Sequence, residues 1–145
     1  MPTTTWGMSA TFTNSGGTWT GPDGFKLTVP AGCAGSGNTI TVYFGGPSHR
    51  IGLIRGKQAA SLTYEVRQTA GATPNPAYPM LVQCVYFYQF NTDRSNLNVH
   101  GGGDVSDQDP GCWNPGTRYD DSSTYIMGAY FTSLGYFTIM RTYTP

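Results

Sequence analysis

The sequence predicts an all-β fold: a two-sheet antiparallel sandwich, jelly-roll or Ig-like, with a small β-barrel as the alternative. Apolar and polar side chains alternate with a period of two in several segments, and glycine and proline cluster between them. Aromatic residues, which favour strands, make up 14% of the chain. No segment carries a capped apolar stripe of helical period. The length of 145 residues fits a single domain, 1–145.

Four alternating segments in the N-terminal half each predict a strand. In each segment every second residue is apolar, and the residues between are mostly threonine or charged. The apolar residues are Ala10 and Phe12, then Phe25, Leu27 and Val29, then Ile40, Val42 and Phe44, then Leu62, Tyr64 and Val66. We expect each strand to turn one face toward a common core.

The C-terminal half carries longer apolar runs. Residues 80–90 are apolar on both faces apart from two glutamines, which predicts a strand in the middle of the sandwich or against another subunit. Residues 125–131 and 136–143 flank a short connection, which predicts a hairpin. Residues 101–123 predict a long loop of the kind that often carries function.

Charge and composition limit the classes of partner. Eight acidic and eight basic side chains cancel, and charged residues make up 11% of the chain, so no net field attracts nucleic acid. No apolar run approaches the roughly 20 residues of a membrane helix, so we expect no membrane partner. The first residues lack a secretory signal, which favours synthesis in the cytoplasm over the alternative of secretion.

Catalytic motifs are absent from the sequence. It contains no G-x-S-x-G elbow, Walker loop or H-E-x-x-H, and Glu65 is its only glutamate. We therefore expect no enzymatic activity and no catalytic residue, with a hydrolase as the least favoured alternative. His49 and His100 are expected to be structural or surface residues. Cys33 and Cys112 lie in loops and can pair if those loops meet.

Candidate ligand residues lie in the turn-rich segments. Asp104, Asp107 and Asp109 follow three glycines, and such close carboxylates suit calcium, although aspartate is also an ordinary loop residue. No other cofactor is expected. Exposed aromatic side chains can stack on sugars or anchor a protein interface, while tryptophans can also close the ends of a sandwich core. The aromatic candidates are Trp19, Trp113 and Tyr119.

Two short runs carry a family resemblance. The runs TFTNSGGTWT (residues 11–20) and LTVPAG (residues 27–32) resemble a β-module of phage tail-fibre and other virion proteins. Head decoration proteins of phages are similar in size and composition. The resemblance implies a virion structural protein, a capsid decoration or tail-fibre component that is made in the host cytoplasm.

Assembly is the expected mode of action. The alternating strands offer more apolar face than one small sandwich is expected to hide, so we expect a homo-oligomer, with a trimer favoured, bound to other virion proteins. The alternative is a carbohydrate-binding, lectin-like sandwich or the receptor-binding tip of a virus. In that case Trp113, Tyr119 and the aspartates of the long loop would contact a glycan, with or without calcium.

Overall fold

The computed structural model describes residues 6–48, 57–103 and 114–142. One 3-10 helical segment, Tyr88–Asn96, is kinked at Asp93. The strands of these ranges are β1 (Met8–Thr13), β2 (Gly17–Thr20), β3 (Lys26–Val29), β4 (Thr39–Ser48), β5 (Lys57–Ala59), β6 (Thr63–Gly71), β7 (Met80–Val85), β8 (Leu97–Gly102), β9 (Asn114–Pro115), β10 (Thr117–Tyr119), β11 (Ile126–Phe131) and β12 (Gly135–Thr142).

The strands form two antiparallel sheets that pack face to face as a sandwich. The first sheet has the order β1-β4-β6-β12-β8-β9, and β5 pairs with the end of β12. The second sheet has the order β10-β11-β7-β3-β2. The predicted sandwich is therefore confirmed. The barrel alternative is wrong, because the two sheets do not close on each other. No helix in these ranges is long and apolar enough to cross a bilayer.

One hydrophobic cluster fills the space between the sheets. The alternating residues of β3, β4 and β6 supply much of it, and each is at most 2% exposed: Phe25, Leu27, Val29, Ile40, Val42, Phe44, Tyr64 and Val66. Burial of each such side chain contributes about 1.5–3 kcal/mol. The alternation therefore predicted which side of these strands faces inward.

The apolar run of residues 80–90 is a strand for only half its length. Strand β7 ends at Val85 and lies in the centre of the second sheet, between β11 and β3. Beyond it, the N–H of Phe87 donates to the carbonyl of Ala60, outside the ladder of the second sheet, and the 3-10 segment begins at Tyr88. The strand prediction is thus wrong beyond Val85. The central position accounts for the buried apolar residues Met80, Val82 and Cys84, whereas Leu81 and Val85 point outward and are half-buried.

The predicted C-terminal hairpin is also wrong. Strand β11 pairs with β7 and β10 in the second sheet, whereas β12 pairs with β6 and β8 in the first. The short connection between them crosses from one sheet to the other. Each strand has one apolar row, and the rows meet across the core, with Met127 and Ala129 on one side and Phe137 and Ile139 on the other.

Candidate functional site

The outer face of the second sheet, turned away from the core, carries two tyrosines side by side. Directly paired residues of antiparallel strands share a face. Because Ala129 points into the core, Tyr130 and Gly128 point outward, and so do their partners Thr117 and Tyr119. We call this surface the tyrosine face; its residues are Leu81, Gln83, Val85, Thr117, Tyr119, Ile126, Gly128 and Tyr130.

The tyrosine face is built around Gly128. The rings of Tyr119 and Tyr130 lie 5.6 Å apart at 83°, in edge-to-face contact. A Cβ at Gly128 would come within 2.9 Å of Gln83 Cγ and 3.2 Å of Leu81 Cδ1. Because Gly128 has no side chain, the side chains of Gln83 and Leu81 on β7 can occupy the space beside it. The result is a half-buried surface of aromatic and aliphatic groups.

Arg94, in the 3-10 segment, anchors the loop of residues 120–125 that joins β10 to β11. Its Nε and Nη2 both donate to Asp120 Oδ1, at 2.9 and 2.5 Å. Its Nη1 donates to the carbonyl of Ser123 at 2.5 Å and to the hydroxyl of Tyr86 at 2.9 Å. One guanidinium therefore holds the carboxylate at the start of the loop and the backbone in its middle.

Two residues of this loop have backbones in the left-handed region that favours glycine. Ser122 has φ of 64° and Tyr125 has φ of 66°. Each costs about 1–3 kcal/mol, so surrounding contacts must hold it in place. The Tyr86 hydroxyl accepts from the N–H of Tyr125 at 3.1 Å, and Gln83 Nε2 donates to Asp121 Oδ2 at 2.8 Å. The loop is therefore fixed to the tyrosine face.

The charges of this region compensate one another. The hydrogen bond from Arg94 is the main cause that lowers the pKa of Asp120 to about 2, so the carboxylate is ionised at neutral pH. Arg118 Nη2 lies 3.2 Å from the other oxygen of Asp120, and Arg94 lies 3.6 Å from Asp121. Two cations and two anions give a region with no net charge.

Two exposed tyrosines lie in the 120–125 loop and shortly after its partner Tyr86 in sequence. Tyr125 is 42% exposed, and its ring meets that of Tyr86 edge to face at 6.1 Å. Tyr86 also donates its N–H to the carbonyl of Tyr125. Two residues further along, Tyr88 is 77% exposed. The ring of Tyr125 is therefore an exposed aromatic surface within a hydrogen-bonded loop.

A cavity of about 470 Å³ opens beside the tyrosine face, at the end where β11 turns toward β12. Five of its lining residues are glycines, and its aromatic members are Tyr130, Phe131 and Phe137. No charged side chain occurs among its described lining residues. The cavity has room for a ligand but little chemistry that would select one.

The structure does not bring the predicted aromatic residues together. Trp19 pairs with Leu27 and so points inward, where its ring stacks on Phe44 at 3.8 Å and meets Trp6 at 5.3 Å. Tyr119 points outward on the opposite edge strand of the second sheet. Four strand spacings, about 19 Å, separate the two strands. Trp19 therefore packs with residues of the core, and Tyr119 lies on the tyrosine face.

The other predicted ligand residues lie outside the described residues. These are Trp113 and the three aspartates of the predicted calcium site, Asp104, Asp107 and Asp109; His49 and Cys112 are outside as well. Cys33 and Cys84 are buried free thiols, and burial raises the pKa of both. In residues 6–48, 57–103 and 114–142, no group of three or more His, Cys, Asp or Glu side chains could hold a metal ion.

Sequence reasoning missed Arg94, Gln83, Tyr125 and Tyr130. Arg94 lies in a segment with no hydrophobic pattern, and Tyr130 lies in a strand that was assigned to a hairpin. The residues 120–125, DDSSTY, did carry a signal, because Asp and Ser favour turns with side-chain hydrogen bonds to the backbone.

In comparisons with known proteins, no family model matches the chain and no curated protein is detectably similar to it.

Proposed function

We propose that the protein is a non-enzymatic virion structural protein, a phage capsid decoration or tail-fibre component, that acts by assembling with copies of itself. The observation that carries the assembly is the tyrosine face, an outer sheet surface with aromatic and aliphatic side chains in adjacent rows. The virion assignment rests on the resemblance of residues 11–20 and 27–32 to virion β-modules. A trimer is the favoured number of copies.

Fewer apolar surfaces are available for assembly than the sequence implied. The inward-facing aromatic residues Phe25, Phe44 and Tyr64 are enclosed within one subunit, so they give no reason for copies to associate. The tyrosine face does, because burial of Leu81, Val85 and Tyr130 against a partner removes apolar surface from water. A second copy is the favoured partner, since a chain of zero net charge does not repel itself.

The oligomeric state tests the assembly. We expect the wild-type protein to sediment as an oligomer at high micromolar concentration, and Tyr130→Lys to sediment as a monomer. The matched control is Tyr43→Lys, because Tyr43 is also a half-buried tyrosine but lies on the outer face of the first sheet. A wild-type monomer at every concentration, or equal dissociation by both variants, would contradict the proposal.

The virion assignment has a separate test. Genes for capsid, portal or tail proteins beside the gene for this chain are the expected result. Purified particles of that phage should then contain the chain, detected by mass spectrometry of peptides from residues 57–103. Particles that lack these peptides would refute the assignment and leave the assembly result unaffected.

Glycan binding is the second candidate function, and the exposed ring of Tyr125 in the 120–125 loop favours it. Tyr125 presents aromatic surface next to a fixed set of polar groups, which is a combination found in sugar-binding sites. A glycan array with and without calcium tests it. We expect Tyr125→Ala to abolish any signal and Tyr78→Ala, at a comparably exposed tyrosine elsewhere, to preserve it. An array without signal in both conditions would exclude this function.

A further inference from the structure

A second cavity, of about 280 Å³, lies where β10 of the second sheet adjoins the edge of the first sheet. Strands β5, β8, β9, β10 and β12 all contribute to its lining. The polar groups that matter here are Lys57, Asn98, His100, Arg118 and Thr142. Its volume is close to the lower limit of small-molecule sites, which is about 300 Å³.

His100 lines this cavity, and one of its ring nitrogens has no partner. The side chain is 2% exposed, and its Nδ1 lies 3.2 Å from the carbonyl oxygen of Asn98. A carbonyl only accepts, so Nδ1 carries the hydrogen and Nε2 is left as a bare acceptor. Nε2 is buried without any hydrogen-bond partner. Buried acceptors are rarely left unpaired, so a ligand with a donor group would satisfy this one.

Two cations line the cavity, and one of them, Arg118, is already paired with Asp120. Lys57 on β5 and Arg118 on β10 line the cavity, and the facing residues of β9 and β12 are uncharged: Pro115, Thr138, Met140 and Thr142. Lys57 Nζ donates to Thr142 Oγ1 at 3.0 Å and has no carboxylate partner in the described ranges. Burial is the main cause that lowers the pKa of His100, and Lys57 lowers it further.

We propose that this cavity binds a small oxyanion that also carries a hydroxyl group. The hydroxyl donates its hydrogen to His100 Nε2, and the anionic oxygens lie against the ammonium of Lys57, the lining cation that has no carboxylate partner in the described ranges. A uronic acid and hydrogen phosphate share this chemistry. A neutral sugar lacks the charge, and acetate lacks the hydroxyl. This proposal does not depend on the proposed assembly or on the tyrosine face.

Imidazole ¹⁵N chemical shifts near neutral pH test the proposal directly. The chain has two histidines, so His49→Gln assigns the signals of His100. We expect D-glucuronate or hydrogen phosphate to move the Nε2 resonance saturably from the position of a bare acceptor toward that of a hydrogen-bonded one. Titration with each of the two identifies which source of the oxyanion the cavity prefers. D-glucose and acetate should have no saturable effect.

Variants of Lys57 test the role of the charge. Lys57→Met should weaken binding by about tenfold or more, as expected for loss of a charge-assisted hydrogen bond, and Lys57→Arg should largely restore it. Lys26→Met, on the second sheet, is the matched control and should bind like the wild type. The proposal is overturned if neither oxyanion moves the His100 signal saturably, or if D-glucose binds as tightly as they do.

Discussion

The hydroxyl of Tyr64, on β6 of the first sheet, donates a 2.6 Å hydrogen bond to Asp23 Oδ2, in the turn between β2 and β3 of the second sheet. The other oxygen of that carboxylate accepts from the N–H of Phe25 at 3.0 Å. The ring of Phe25 in turn stacks on Tyr64 at 4.8 Å. Burial is the main cause that raises the pKa of Tyr64, so the hydroxyl keeps its hydrogen and one carboxylate links both sheets.

Tyr64→Phe should lower the free energy of unfolding by about 1–2 kcal/mol. The variant keeps the ring contacts and loses a hydrogen bond to a charged group, while Asp23 remains accessible to water. Urea denaturation measures the change. Tyr43→Phe is the control, because no hydrogen bond of its hydroxyl occurs in the described part of the chain, and its effect should stay within about 0.5 kcal/mol. Equal effects of the two substitutions would show that the bond to Asp23 contributes nothing.

The pair Arg94–Asp120 should make stability fall in acid. The pKa of Asp120 is about 2 in the folded protein, below the ordinary 3.8, so its contribution is complete above pH 4 and is lost as the pH falls toward 2. The carboxylate is partly open to water, so we expect a loss of about 1–2 kcal/mol. Denaturation at pH 4.5 and pH 2.5 measures it.

Asp120→Asn should reduce this pH dependence. A smaller loss of stability in acid should remain, because the hydrogen bond from Asn96 is the main cause that lowers the pKa of Asp93. Glu65→Gln is the control, since its partner Arg67 is 49% exposed and such surface pairs contribute little. An unchanged difference between the two pH values in Asp120→Asn would refute the assigned role of the Arg94 contact.

Period-two alternation predicted the strands that have one buried face and one solvent-facing side. It gave no guidance for residues 80–90, where apolar residues occur on both faces. Phe25, Leu27 and Val29 had to face inward because Lys26 and Thr28 between them favour water. The run Tyr86-Phe87-Tyr88 had the propensity of a strand, but the N–H of Phe87 donates to the carbonyl of Ala60, outside the ladder that joins β7 to β11. Local sequence contains no record of such partners.

The sequence predicted that aromatic and acidic residues would form the candidate site. It did not predict which of these residues would contact one another in space. Tyr119 was predicted to lie in the long loop of residues 101–123, but it lies in the short strand β10. Its neighbour Tyr130 is eleven residues away and meets it through strand pairing. Arg94 contacts Asp120 across 26 residues, a distance at which spacing rules give no information. Trp19 faces inward because of its register with Leu27, which only the sheet order determines.

Gly128→Ala should destabilise the protein by about 1–3 kcal/mol. The new methyl group would press on Gln83 and Leu81, and Gln83 cannot swing aside without losing its hydrogen bond to Asp121. Thermal or urea denaturation measures the loss. The control is Gly103→Ala, where a Cβ meets no atom within 4 Å, and its effect should be within about 0.5 kcal/mol. Equal stability of Gly128→Ala and the wild type would mean that the tyrosine face repacks freely.

Trp19→Ala should lower the free energy of unfolding by about 2–4 kcal/mol, because the indole stacks on Phe44 and contacts Trp6 at the edge of the core. Trp19→Phe keeps an aromatic ring on Phe44 and should cost less than about 1.5 kcal/mol. Urea denaturation followed by circular dichroism compares the two without relying on tryptophan fluorescence. A Trp19→Ala protein as stable as the wild type, but unable to bind a glycan that the wild type binds, would return Trp19 to the role of a ligand residue.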